Sequence, residues 1–60
     1  MTITRPAERR FIKSWLRYGQ EFARVSISNG TIYIVPYPKH IERFREKIPI
    51  LLMLGYSVHE

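Results

Sequence analysis

Cysteine is absent from this chain, which excludes disulfides and the thiolate zinc sites that commonly support a small core. Aspartate is absent as well, and the five acids are all glutamates: Glu8, Glu21, Glu42, Glu46 and Glu60. None of them is spaced with a histidine so as to build acid–base machinery. The two histidines, His40 and His59, lie far apart and form no ligand pattern. The three glycines are isolated and make no phosphate-cradling loop. No apolar run approaches the roughly 20 residues that span a bilayer; the longest, Ile48 to Leu54, is interrupted by Pro49. The N-terminus runs from Met1 directly into charged residues instead of an apolar signal segment. These absences predict a soluble, cytoplasmic, non-enzymatic protein with no catalytic residues, no metal and no cofactor, and with no membrane among its partners.

What is present is positive charge and apolar content. Ten Lys and Arg oppose five acids, giving +5 and an isoelectric point near 10.1. That balance favours a polyanionic partner, either nucleic acid or an acidic protein surface. Sixty residues make one domain, 1–60, and a chain of this size hides only about 60% of its unfolded surface. A hydrophobic content of 45% is high for so little interior, which predicts self-association as a homodimer.

The pattern predicts an α+β domain of helix, β-hairpin, helix (αββα), with a short C-terminal third strand as an option. Pro6 suits the first position of a helix capped by Thr4 or Arg5. At 100° per residue, Ala7, Phe11, Ile12, Trp15, Leu16 and Tyr18 fall on one side of that helix. Arg9, Arg10, Lys13, Ser14 and Arg17 fall on the other, and Gly19 is the expected left-handed stop. Asn29-Gly30 between alternating β-branched runs is a type I′ hairpin signal. A two-residue loop would pair Ser28 with Thr31, Ile27 with Ile32, Ser26 with Tyr33 and Val25 with Ile34. Val25, Ile27, Ile32 and Ile34 would then share the face on which both helices pack. Pro38 opens the second helix, whose inward stripe is Ile41, Phe44, Ile48, Leu51 and Leu52. Pro49 breaks or kinks it, and Gly55 closes it.

Four cations with no acid among them, Arg9, Arg10, Lys13 and Arg17, share the first helix's wet face and suit a row of phosphates. The plain alternative is a solubilising face. On the hairpin's outer face Arg24 and Tyr33, with Val35 and Phe22 nearby, would add secondary contacts, Tyr33 by stacking on a base. In the second helix Lys39–Glu42 and Arg43–Glu46 read as ordinary compensated surface pairs. Trp15 reads as a packing residue. Ile50, Met53 and Leu54 point away from the inward stripe, and a helix apolar all round is buried all round. They therefore mark an interface with a second copy or another protein. The leading expectation is a small basic regulatory protein that binds DNA or RNA. The alternative is an inhibitor of the phage or mobile-element type that docks on an acidic host protein.

Overall fold

Asn29 and Gly30 carry φ of 49° and 74°, so both central residues of the turn have the positive φ that a type I′ hairpin needs. The computed structural model describes all residues, 1–60. Strands β2 (Ala23–Ser28) and β3 (Thr31–Pro36) pair antiparallel, with Ser28 opposite Thr31, Ile27 opposite Ile32, Ser26 opposite Tyr33 and Val25 opposite Ile34. A Cβ at Gly30 would meet nothing within 4 Å, so the cost of Gly30→Ala is backbone strain alone. That substitution should lower stability by about 1–2 kcal/mol. A urea midpoint unchanged from that of the parent protein would refute the turn assignment.

The N-terminus departs from expectation. Thr2–Pro6 is not a helix cap but a strand, β1, and it lies inside the sheet. It pairs with β3 on one side, Ile3 opposite Ile34 and Arg5 opposite Ile32. On its other side it pairs with β4 (Ser57–His59), Ile3 opposite Val58. Two ladders of backbone hydrogen bonds outweigh the local helix-start signal of Pro6, which becomes the last residue of the strand. Helix α1 therefore begins later and covers Arg9–Tyr18, with Glu8 in extended conformation as its N-cap.

The optional last strand is present, so the α+β expectation holds while the αββα order becomes βαββαβ. All four strands are antiparallel in the order β2-β3-β1-β4, the split βαβ arrangement. The second crossover holds two short helices, α2 (Ile41–Glu46) and α3 (Ile48–Met53), entered by a 3₁₀ turn at Pro38–His40. They break at Lys47, two residues before Pro49, which sits in the first turn of α3.

All helices lie on one side of the sheet. Ile3, Ile32 and Ile34 are fully buried, with Ala23, Leu51 and Tyr56 beside them. Phe11, Trp15, Phe44, Val25 and Val58 close over this cluster. Trp15 stacks on Phe44 with centroids 6.3 Å apart, and its indole N–H donates to the Tyr56 hydroxyl at 2.8 Å. Gly19 follows α1 with a right-handed φ of −82°, not the expected left-handed one. Its glycine is required by close approach, because a Cβ there would run into the Trp15 ring.

The cover is too small for every residue patterned inward. Ile27 remains exposed near the hairpin tip, and Leu16 and Tyr18 remain exposed on α1. Leu52, expected in the inward stripe, faces water too. A six-residue helix presents few side chains to the core, and only Leu51 of α3 is buried.

Candidate functional site

Helix α1 has no buried residue; it rests on the sheet through half-buried Phe11, Ile12 and Trp15 and turns the rest outward. Arg9, Arg10, Lys13 and Arg17 are all exposed. The face is not wholly free of acid, because Glu8, one residue ahead of the helix, reaches back. Its carboxylate lies 3.5 Å from Nε of Arg10. An exposed pair of this kind contributes little, but it takes Arg10 out of the uncompensated row. Arg9, Lys13 and Arg17 have no carboxylate within 4.0 Å. Residues four apart on a helix are about 6 Å apart along its axis, so these three form a cationic row that slants gently around α1. Lys13, Leu16 and Arg17 line a shallow hollow on it.

Arg24 and Tyr33 are not part of this row. They lie on the sheet's outer face, opposite to the helix layer. Tyr33 stands on central strand β3 between Ser26 of β2 and Thr4 of β1. Arg24 faces Val35 at the sheet edge. Thr2, Thr4, Ser57 and His59 complete this open face from β1 and β4, with Thr4 Oγ1 3.2 Å from His59 Nε2. No straight ligand touches both the α1 row and Arg24 with Tyr33. Phe22 is also absent from the outer face; its ring packs edge-on against His40, with centroids 5.2 Å apart.

Ile50, Met53 and Leu54 are exposed as the pattern implies, Met53 at 86%. Ile50 forms one wall of a cleft that sequence reasoning missed, between α1 and the α2–α3 pair. Arg43 and Lys47 flank it. The compensation expected in α2 is redistributed: Glu42 pairs with Arg45 at 3.0 Å, and Glu60 reaches the same guanidinium at 3.7 Å. Neither Lys39–Glu42 nor Arg43–Glu46 forms an ion pair, and Arg43 and Lys47 have no carboxylate partner. The register of the charges was legible; which acid each cation chooses depends on where the C-terminus folds back.

Arg5, expected only as a helix cap, lies on the core side of β1 and is 8% exposed. Its Nη1 donates to the Leu54 carbonyl at 2.7 Å, and its guanidinium lies 3.4 Å from the Phe11 ring centroid. It ties β1 to the end of α3 and is unavailable to a ligand.

No helix is long and apolar enough to cross a membrane. No three of the histidine and glutamate side chains come together in a group that could hold a metal ion. Comparison with known proteins finds no matching family model, no matching characterised protein and no matching solved structure.

Proposed function

We propose that this chain is a small, basic, non-enzymatic regulatory protein of the cytoplasm that binds nucleic acid through the outer face of α1. One observation carries the reading: Arg9, Lys13 and Arg17 form an exposed row without any carboxylate partner. Like charges at this spacing weaken a helix slightly, and the row coincides with an overall charge of +5. A polyanion with regularly spaced charge relieves that repulsion and releases condensed counterions as it binds. Arg10, paired with Glu8 at 3.5 Å, adds a weaker contact. Arg24 and Tyr33, on the opposite face, serve a second strand or a chain that wraps around the domain. Contacts of this type orient a nucleic acid without reading its sequence.

The test is a titration of labelled duplex and single strands at several salt concentrations. Three phosphate contacts predict a slope of log affinity against log salt of about −3 on duplex, near −0.9 for each phosphate. The triple variant R9E/K13E/R17E should weaken binding by at least about a hundredfold. The change lies on a fully exposed helix face, so circular dichroism should be unaltered. Binding indifferent to salt, or retained by the triple variant, would reject the proposal.

A further inference from the structure

The cleft between α1 and the α2–α3 pair has a volume of about 360 Å³, at the small end of the range for binding pockets. Its floor and walls are Trp15, Phe22, Phe44, Ile50 and Leu51. Beyond Trp15 and Phe22 a second hollow continues past Tyr18. The two polar residues at the cleft's rim, Arg43 and Lys47, are both cations, and no carboxylate lines it. The α1–α3 side therefore combines an apolar trough with unpaired positive charge along one edge.

We infer that this cleft docks an acidic amphipathic helix from a partner protein. The helix would place apolar anchors over Trp15, Phe44 and Ile50, and its flanking Asp or Glu side chains would meet Arg43 and Lys47. Large apolar anchors in a groove with charged flanks are the common form of helix-in-groove recognition. Charge decides between this occupant and the others. In a twofold dimer the patch would meet a copy of itself, and since no carboxylate lines it, Arg43 and Lys47 would find no acid there in a chain already at +5. A nucleic acid finds cations here but no polar floor. The Trp15 indole N–H is already bonded to Tyr56, and Phe44 stacks on one face of its ring. An acidic helix satisfies both the trough and the rim. The cations concerned are not those of the α1 row, so this inference and the nucleic-acid proposal fail separately.

Trp15 is the only tryptophan, and its fluorescence reports occupancy of the cleft in the full chain. The probe is a synthetic amphipathic helix with Leu and Phe at i, i+3, i+4 and i+7 and Glu at flanking positions. Saturable binding should weaken at least about tenfold when the Glu residues are replaced by Gln, and more steeply with the protein variant R43E/K47E, which turns attraction into repulsion. A Lys-flanked version of the helix should bind R43E/K47E better than it binds the parent protein. The variant R9E/K13E should bind the Glu helix within about threefold of the parent. Arg43 and Lys47 are exposed; should their double variant fail to fold, the Gln helix against the parent protein decides the matter. Several results would overturn the inference: no saturable binding, equal affinity for the Glu and Gln helices, or equal losses from the two double variants. So would a chain that dimerises with Trp15 buried before any helix is added, which assigns the cleft to a second copy. An oligonucleotide that shields Trp15 in the parent protein but not in R43E/K47E assigns it to nucleic acid and overturns it too.

Discussion

Ile34→Ala should remove a large share of the chain's stability at 25 °C. Ile34 is fully buried on β3, opposite Val25 of β2 and Ile3 of β1, so its side chain joins three strands to the helix layer. Removing that much of a buried aliphatic side chain costs about 2–5 kcal/mol. A chain of this size has a total stability of only about 3–9 kcal/mol, without a disulfide to limit the loss. The neighbouring Val35→Ala is the control, since Val35 points to the open face and is exposed; it should cost less than about 1 kcal/mol. Far-UV circular dichroism with urea titration distinguishes the two. Comparable loss from both substitutions would mean that the outer face is covered in solution and that the two-layer description is wrong.

Arg5 offers the second large effect, and its sign depends on what replaces it. Its side chain is buried with the guanidinium over the Phe11 ring, and its charge is spread over the Leu54 carbonyl, the Phe11 and Tyr56 rings and, at 3.8 Å, Glu8. Arg5→Ala empties that volume and should cost about 3 kcal/mol. Arg5→Met keeps the stem and removes a buried charge. The Leu54 carbonyl it abandons is part-buried, so the cost should be about 1–2 kcal/mol, less than that of Arg5→Ala. Urea midpoints for the two variants test this ordering. If Arg5→Met loses as much as Arg5→Ala, the guanidinium's contacts with the Leu54 carbonyl and the Phe11 and Tyr56 rings, rather than the packing of the stem, hold the two layers together.

Both residues show where local reading stops. Ile34 was legible because the Asn29-Gly30 turn and the alternating pattern of the hairpin agree on register. Arg5 was not, because the proline that follows it marks a helix start, which places Arg5 at a cap instead of in a strand. Its inward orientation follows only from the pairing of β1 with β3, some thirty positions away in the chain. The same holds for the candidate sites. The cationic row of α1 repeats every four residues and is visible in sequence, although the approach of Glu8 to Arg10 required the true helix start. The apolar character of α3 was visible too. The cleft was not, since its walls come from Trp15, Phe22, Phe44 and Ile50, which meet only when α2 and α3 are laid against α1.

Local sequence, then, determined the hairpin with its turn and register, the two-sidedness of the first helix, and the break near Pro49, because each arises from residues within a few positions of one another. The tertiary fold decided the rest. It placed β1 in the middle of the sheet, because an interior strand satisfies its backbone on both edges and buries Ile3. That placement delayed the first helix to Arg9, turned Arg5 inward, and put Arg24 and Tyr33 on the face away from the α1 row. It also brought Glu42 and the returning Glu60 together on Arg45, while Arg43 and Lys47 have no carboxylate partner. Long-range strand pairing and the meeting of charges from distant segments are settled only when the whole chain is closed.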